Sequence, residues 1–379
     1  MVTADDAYCL KNNDNLYPDL FDKFEDGMRL DNTGMTRLAG MRLPGYYSRW
    51  HLKAYWNITR SWRGRKFDRI LTFAEPMISH VLGLWLKKKY KCPWIAFFSD
   101  PWVDNPFKRL SRFKRTLNEY CEKKVMEQVD MAVFTCPEAL QFYVRKYPFL
   151  QSKATFIEHA FDESLYEDVV AKNPDEIVIR HIGALYGERD PSLFLEAIQK
   201  ELRSREASGI RVTFETIGFV EEDIEKKIAR ILTDACSTLK VVMRKTVSYR
   251  ESLRLMKQAD LLVAVDMQHE DNIFLMSKLI DYLGAGRPVL AIAPKSGATI
   301  RIMRKVGGWV IAPHDIESMK KCVKEILDSA LDGTLVSCRP SANEVHEYSI
   351  TKQIGKLEQI IEKEYAPLQN LKAVVNRAL

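Results

Sequence analysis

The stretch that decides the fold is Ser277-Lys-Leu-Ile-Asp-Tyr-Leu-Gly-Ala-Gly-Arg-Pro-Val-Leu-Ala-Ile-Ala293. Its first half places apolar residues at helical spacing and ends in two glycines, which is typical of a helix and its C-terminal stop. Its second half follows a proline with a short apolar run, which is typical of a buried parallel strand. The stretch therefore predicts a helix capped by Ser277 and then a strand of an α/β sheet.

Two charged residues of this predicted helix are candidates for ligand contacts. Lys278 and Asp281 are three positions apart, so they share a helix face close to the helix N-terminus. A cation and a carboxylate beside a helix start are suited to a phosphate group and a sugar hydroxyl. The same spacing also fits an ordinary surface ion pair, and the spacing alone leaves both interpretations open.

The rest of the second half alternates in the same way and predicts a doubly wound sheet. Strands are expected near residues 177–182, 211–217, 239–243, 260–266, 288–293 and 309–312. Helices are expected near residues 191–205, 221–233, 248–258, 277–285, 297–305, 315–330 and 349–364. Such sheets bind ligands beyond the carboxyl ends of their strands.

The first half predicts a second α/β layer. Strands are expected at 69–73, 93–98 and 131–134, and helices at 50–56, at 76–88, at 107–128 and from Pro137 onward. A chain of 379 residues is too long for one core. We therefore expect an N-terminal domain at 1–165, a link at 163–175, a C-terminal domain at 176–340 and a helical segment at 341–379.

Composition excludes several classes of protein. The seven cysteines have no CxxC spacing, which argues against a zinc site or a disulfide framework and suits a reducing cytoplasm. No apolar run reaches the roughly 20 residues that span a bilayer. Residues 51–124 carry 17 Lys and Arg against 6 Asp and Glu, a net charge of +11, while the whole chain carries +6. This excess fits either an anionic partner or a merely solvated surface.

The end of the first predicted strand of the second domain adds further candidates. Gly183 permits close approach of the backbone to a ligand, and Arg189 precedes a helix that Asp190 is placed to cap, with Pro191 at its first position. An arginine beside a helix N-terminus suits a diphosphate. If one crevice joins these residues to Lys278 and Asp281, the set fits a nucleoside diphosphate.

These stretches resemble the retaining GT-B-fold nucleotide-sugar glycosyltransferases, the large family that includes sucrose synthase and bacterial polysaccharide transferases. The similarity covers roughly residues 68–365, and its most specific part is Ser277–Ala293. Supporting stretches are His181–Pro191, Thr216–Gly218, Thr246–Tyr249, Gln258–Leu262, Pro93–Trp102, Gln128–Phe134 and Phe156–Asp162. The resemblance implies an α/β fold of GT-B type, with two Rossmann-like doubly wound domains facing a cleft and a first domain shortened at its N-terminus.

The resemblance also implies roles for single residues. Asp281 matches the carboxylate that holds the donor ribose, and Lys278 and Arg189 match basic groups at the donor diphosphate. Gly183 matches the glycine under the phosphates, and Asp100 matches an acid of the first domain near the acceptor. The remaining substrate-binding positions are Thr246 and Val247, which meet the nucleotide base, and Ser277 at the helix start.

Two departures from the family pattern concern the donor site. Relatives begin with a strand, a glycine-rich loop and a helix before the position of Val2, and we expect either that translation begins upstream of Met1 or that the first domain is incomplete. Many relatives also have an acid eight positions before the ribose carboxylate, where this chain has Ile273. Backbone amides of residues 271–276 are the candidates to bind the donor sugar instead.

The implied reaction is transfer of a sugar (a hexosyltransferase type) from a nucleotide sugar to a glycan or lipid-linked acceptor, with retention, in polysaccharide biosynthesis. We expect no metal and no cofactor, since the nucleotide sugar is a substrate. The helix at 107–128 is expected to pack its apolar stripe on the sheet and to turn its basic face to an anionic membrane, as a peripheral protein at the inner face of the plasma membrane. Alternatives are a nucleotide-sugar-binding partner subunit without turnover, a nucleotide-sugar epimerase and, with no base-stacking motif to support it, a nucleic-acid binder.

Overall fold

The computed structural model describes residues 2–4, 28–30, 50–74, 76–106, 110–167, 176–205, 209–233, 236–267 and 272–363. The chain divides into two compact units, residues 1–157 and residues 158–379. Within the described ranges, no helix is both long enough and apolar enough to cross a lipid bilayer. The predicted link at 163–175 lies partly outside the description, because residues 168–175 are not among these ranges.

The first unit is a parallel α/β layer, as its alternating pattern predicts. Its strands are β1 (Val2–Ala4), β2 (Met28–Leu30), β3 (Ile70–Phe73), β4 (Trp94–Phe98), β5 (Met131–Phe134) and β6 (Ala154–Phe156). β1 pairs with β2, and a four-stranded sheet has the order β3-β4-β5-β6. Its helices are α1 (Trp50–Ser61), α2 (Ile78–Tyr90), α3 (Arg112–Gln128) and α4 (Pro137–Lys146).

The prediction for α3 is wrong in two respects. The helix begins at Arg112, because the chain at Leu110 and Ser111 is not helical, and residues 107–109 lie outside the described ranges. The apolar stripe of Phe113, Leu117 and Tyr120 does not pack on the sheet, since these side chains are 79%, 52% and 62% exposed. The helix is instead anchored by its last turns, where Glu122, Val125 and Met126 are buried.

The second unit holds one six-stranded parallel sheet. Its strands are β7 (Glu176–Ile182), β8 (Arg211–Ile217), β9 (Leu239–Arg244), β10 (Leu261–Val265), β11 (Val289–Ile292) and β12 (Trp309–Ile311). Their order is β12-β11-β10-β7-β8-β9, so the chain starts in the middle and winds outward in both directions. This is the strand order of a dinucleotide-binding Rossmann sheet, with its switch point between β7 and β10. The predicted doubly wound sheet is confirmed.

Seven of the eight α-helices that the structure describes in this unit lie at the predicted positions, and the short helix Ala342–His346 is not among the predicted ones. The eight helices are α5 (Ser192–Ser204), α6 (Glu222–Thr233), α7 (Tyr249–Lys257), α8 (Ser277–Gly284), α9 (Ala298–Val306), α10 (Ile316–Leu331), α11 (Ala342–His346) and α12 (Ile350–Lys363). Every residue of β10 and β11 is buried, as expected of central parallel strands that have helices on both faces. The main core cluster of this unit is built from residues of all six strands and from the apolar faces of α5, α6 and α10.

The start of α8 differs from the prediction. Ser277 is the first helical residue and Met276 is the N-cap, and no side-chain hydrogen bond caps the helix. The amide of Leu279 donates to the Met276 carbonyl at 3.1 Å, so the helical bonding begins one residue earlier than a serine cap requires. Pro191 likewise stands before α5 as its N-cap, while Asp190 Oδ1 accepts from the amide of Ser192 at 2.9 Å.

Residues after Ile157 pack with the second unit. Phe161 forms a bridge with Ser349, and its amide donates to the Tyr348 carbonyl at 3.1 Å. A Cβ added to Gly284 at the end of α8 would lie 2.6 Å from the Phe161 ring, so only a glycine permits this close contact. The segment before residue 167 and the helices near the C-terminus are thus parts of one packed body with α8.

Candidate functional site

The candidate site lies at the switch point of the second sheet. β7 ends at Ile182 and its neighbour β10 ends at Val265, and the chain leaves them toward opposite edges of the sheet. Gly183 follows β7 directly, and α8 follows the connection after β10. Crevices at such points are where open α/β sheets bind their ligands.

The loop after β7 lies very close to the end of β8. The amide of Gly183 donates to the Ile217 carbonyl at 2.9 Å. Gly218 has a φ of +138°, and a Cβ built there would lie 2.3 Å from the Gly183 carbonyl oxygen. Any side chain at position 218 would therefore push the two loops apart. On its other side, a Cβ at Gly183 would lie 4.0 Å from Cγ of Lys278, so β7 and α8 meet at this glycine.

Arg189 is held at the end of the same loop. Its amide donates to the Tyr186 carbonyl at 3.0 Å, and its guanidinium lies over the Tyr186 ring, 5.1 Å from the ring centre. The Nε atom is buried and has no hydrogen-bond partner among the described residues. A buried cationic donor without an acceptor is costly unless a ligand supplies one, which fits an anion-binding role.

Lys278 and Asp281 lie on one face of α8, as their spacing predicts. The Lys278 Nζ is 3.9 Å from Asp281 Oδ2 and lies over the Tyr249 ring, and the side chain is about one third exposed. Asp281 is buried, and its Oδ1 accepts from the Tyr249 hydroxyl at 2.9 Å. Burial raises the pKa of this carboxyl, while Lys278 and Tyr249 act to lower it. Lys278 therefore makes only a loose contact with the buried carboxylate of Asp281.

The other predicted site residues occupy separate places. Thr246 is exposed and Val247 is half-buried in the connection between β9 and α7, and the Tyr249 hydrogen bond ties that connection to Asp281. Ser277 is exposed at the first position of α8. Asp100 lies in the first unit, half-buried at the bend after β4. The structure thus brings Gly183, Lys278 and Asp281 together and leaves Asp100 in the other unit.

The sugar-binding loop of the prediction is only partly described. Ile273, which replaces the acid of many relatives, is buried. The amides at 272–276 fall within the description, while residue 271 and the acids Glu270 and Asp271 lie outside it. Across the described ranges, no three His, Cys, Asp or Glu side chains are grouped as ligands for a metal ion.

Similarity to known proteins was found at the level of structure. No family model matches the chain, and no curated protein matches its sequence. A sucrose-phosphate synthase from Thermosynechococcus elongatus superimposes with a TM-score of 0.59 at 15% identity, over 83% of this chain and 78% of that one. An α,α-trehalose 6-phosphate synthase from Burkholderia multivorans gives a TM-score of 0.60 at 11% identity, over 86% and 76% of the two chains.

A third match has the widest span of the three. A putative UDP-N-acetylglucosamine 2-epimerase from Listeria monocytogenes gives a TM-score of 0.56 at 14% identity, over 91% of this chain and 85% of that one. All three matches run through both units of the chain. The fold is GT-B. The predicted fold class, two Rossmann-like α/β units, is confirmed at this level.

In this GT-B chain, sequence reasoning missed two residues of the candidate site. Tyr249 binds Asp281, and His181 lies beside Gly183, with its Nε2 only 3.4 Å from the position of a Cβ on that glycine. The signal for His181 was a polar residue two positions before a glycine at the end of an otherwise buried strand. A periodic pattern does not show that β10 is the neighbour of β7 in the sheet. The position of His181 beside Val263 and Gly183 therefore required the tertiary structure.

Proposed function

We propose that this protein is a glycosyltransferase that moves a sugar from a nucleotide-sugar donor to a glycan or lipid-linked acceptor. The observation that carries the proposal is the meeting of a glycine loop, a buried carboxylate and a lysine at the switch point of a Rossmann sheet, with Arg189 closing the loop. The similarity to sugar-phosphate synthases supports the same class of reaction.

The proposed roles follow from the chemistry of each group. Asp281 accepts hydrogen bonds from the donor ribose, and the backbone at Gly183 lies against the diphosphate. Arg189 and Lys278 neutralise the charge that develops on the diphosphate as the bond to the sugar breaks. Ser277 contributes its amide at the positive end of α8, and Thr246 and Val247 contact the base. Asp100 is proposed to act on the acceptor.

The stereochemistry and acceptor are proposed from the family resemblance. The resemblance of Ser277–Ala293 to that family supports transfer of a hexose with retention. The acceptor would then belong to polysaccharide or glycoconjugate synthesis. No resident cofactor is needed, because the activated sugar arrives on the nucleotide. A partner that binds the nucleotide sugar without turnover would show binding but no release of free nucleotide in the presence of any acceptor.

Binding of nucleotides tests the donor site. We expect calorimetry with UDP, GDP, ADP and their sugars to find one base that binds the wild-type protein. Asp281→Asn keeps the hydrogen bond from Tyr249 but removes the charged acceptor, and it should weaken binding at least about tenfold, the loss of a charge-assisted hydrogen bond. Asp332→Asn, at an exposed position, is the matched control. An unchanged affinity in Asp281→Asn would reject the ribose role, and no binding to the wild type would reject the proposed function.

An epimerase is the second candidate, because the epimerase match covers 91% of this chain. The two reactions differ in their products. A transferase gives free nucleoside diphosphate and a glycosylated acceptor, whereas an epimerase inverts one carbon and keeps the sugar on the nucleotide. Proton NMR of the sugar nucleotide after incubation without an acceptor distinguishes them.

We also propose that α3 lies on an anionic membrane surface that carries the acceptor. Phe113, Leu117 and Tyr120 form an exposed stripe at helical spacing. Arg112, Lys114 and Lys123 flank it on the helix, and Lys124 lies over the Tyr120 ring while it pairs with Glu127. Apolar residues that enter the headgroup region, with cations beside them, are the features of a helix that lies in an anionic interface.

Vesicle co-sedimentation tests this contact. The wild-type protein should bind vesicles that contain phosphatidylglycerol, more strongly at low salt than at high salt, and should not bind neutral vesicles. The triple change Phe113→Ser, Leu117→Ser and Tyr120→Ser should abolish binding. The control changes three other exposed apolar residues, Phe219, Ile316 and Leu331, to serine. Equal binding by both triple variants would disprove the role of α3.

A further inference from the structure

His181 is a buried histidine whose ring is fixed across the switch point. It lies near the end of β7, is 4% exposed, and its Nδ1 is 2.9 Å from the carbonyl oxygen of Val263 on β10. A carbonyl oxygen only accepts, so Nδ1 must carry a hydrogen and donate it. In the neutral ring, Nε2 is therefore the nitrogen with a free lone pair.

The Nε2 atom faces the candidate phosphate site. It is buried, and it has no hydrogen-bond partner among the described residues. It lies 3.4 Å from the position of a Cβ on Gly183, on the side of that glycine where Lys278 also approaches. An unpaired polar atom at such depth is unfavourable, and a ligand seated at the Gly183 loop would supply the missing hydrogen-bond partner.

The surroundings keep this ring neutral while the site is empty. Burial, together with the positive charges of Arg189 and Lys278, lowers the pKa of His181 to about 4, although the hydrogen bond to the Val263 carbonyl acts to raise it. From β8, the residue opposite is the uncharged Thr216, and from α8 the Asp281 carboxylate is engaged with Tyr249. The only acid among these neighbours, Asp281, lies 3.9 Å from the Lys278 Nζ atom and is not among the groups that act on the pKa of His181.

A bound diphosphate would reverse this balance. Its two negative charges would lie among His181, Arg189 and Lys278, where the buried setting strengthens their attraction for a proton on the ring. The ring is already oriented by Val263, so protonation of Nε2 needs no rotation. Nε2–H would then donate to an oxygen of the diphosphate.

We propose that His181 is a proton-coupled ligand of the donor diphosphate. Resting on the proposed function, the step is the transfer of one proton from solvent to Nε2 as the nucleotide sugar binds, with Nε2–H donating to a phosphate oxygen. No covalent bond to the sugar forms or breaks in this step. The proton leaves again when the nucleoside diphosphate departs. Donor affinity is therefore set by pH through a residue outside the ribose and base contacts.

Calorimetry with a nucleotide sugar measures the proton directly. UDP-glucose, GDP-mannose and ADP-glucose are suitable probes, since their diphosphate is esterified at both ends and lacks the terminal phosphate ionisation near pH 6. With the probe that binds best, titrations at pH 6.0 in two buffers of different ionisation enthalpy should show uptake of roughly one proton per ligand bound. The dissociation constant should rise about tenfold per pH unit between the pKa of the ring in the free protein, about 4, and the pKa of the ring in the complex, and should level off above the latter.

Two variants separate this role from a structural one. His181→Gln carries an amide that can donate without taking up a proton, so it should bind the probe with no net proton uptake and a flat pH profile. His80→Gln is the matched control, because His80 is also fully buried but lies in the first unit. It should keep the wild-type uptake. Circular dichroism and thermal unfolding of both variants check that they are folded.

The outcomes are distinct. If the wild type binds a nucleotide sugar with no proton uptake and no pH dependence, the proposal is overturned while the proposed function stands, and this result needs no variant. If His181→Gln keeps the uptake, another group takes the proton and the proposal is likewise overturned. If the wild type binds none of the probes, both the proposal and the proposed function fail. Proton uptake that is present in the wild type and in His80→Gln but lost in His181→Gln supports the proposal.

Discussion

The positive charges of Arg189 and Lys278 act on the same residue, His181, from two different elements. Arg189 is placed by the turn after β7 and by its stacking on Tyr186, whereas Lys278 is placed by the first turn of α8. Neither forms a close ion pair among the described contacts, since the distance from Lys278 to Asp281 is 3.9 Å. Two cations that are positioned but not neutralised are the arrangement that a diphosphate leaving group requires.

Removal of either cation should slow the reaction more than it weakens substrate binding. Arg189→Ala or Lys278→Ala should lower kcat by about 100-fold and change KM by less than about tenfold, because each cation acts mainly on charge that develops in the transition state. Release of free nucleotide from the best donor measures both constants. Lys320→Ala, on the exposed face of α10, is the control. A rise in KM at constant kcat would instead assign the cation to ground-state binding.

The loop that follows β4 and carries Asp100 is held in place by side chains of the helices α3 and α4. Glu122 of α3 is fully buried and accepts from the Val103 amide at 3.1 Å and from the Tyr147 hydroxyl at 2.9 Å. It also pairs with Lys146 of α4, while the Tyr143 hydroxyl accepts from the Trp102 amide. A buried carboxylate thus joins α3, α4 and this loop.

Removal of this charge should therefore destabilise the first unit. Glu122→Gln removes the buried partner of Lys146, which keeps its bond to Asp104, and weakens the bonds from the Val103 amide and from the hydroxyls of Tyr143 and Tyr147. We expect the free energy of unfolding to fall by about 3 kcal/mol, as for other broken buried pairs. Urea denaturation followed by tryptophan fluorescence measures it. Glu127→Gln breaks the exposed pair with Lys124 on the same helix and should leave the midpoint nearly unchanged. Equal midpoints for Glu122→Gln and the wild type would contradict the role of Glu122.

Across the whole molecule, burial keeps several histidines uncharged. The pKa values of His51, His80, His159 and His181 are all lowered chiefly by desolvation, to about 3 for His80 and about 4 for His181. In the unfolded chain a histidine titrates near pH 6.5. Between pH 4 and pH 6.5 the unfolded state therefore binds more protons than the folded state, and stability is lost as the pH falls through this window.

The predicted dependence of the free energy of unfolding on pH can be measured. Each fully buried histidine should lower the free energy of unfolding by about 1.4 kcal/mol per pH unit between pH 6 and pH 4.5. His80→Gln should reduce the measured slope by that amount, because the variant has no proton to take up at that position. Urea denaturation at several pH values provides the slopes. His314→Gln, at an exposed position, is the control, and an equal slope in His80→Gln and the wild type would contradict the prediction.

Local patterns in the sequence determined the elements of this protein. Apolar runs between glycine and proline signals located the six strands of the second unit, because central parallel strands are buried on both faces. The spacing of Lys278 and Asp281 on one helix face also followed from the sequence, since helix geometry is local. The resemblance of Ser277–Ala293 to a known family then indicated the GT-B fold, which the structural matches confirm.

Only the tertiary structure decided which side chains meet. The strand order places β10 beside β7, and this non-local pairing brings His181 against Val263 and Lys278 against Gly183. It also leaves the stripe of α3 exposed, although its spacing is that of a helix packed on a sheet. Helical periodicity records that apolar residues share a face, but the partner of that face depends on the distant segments that fold against it.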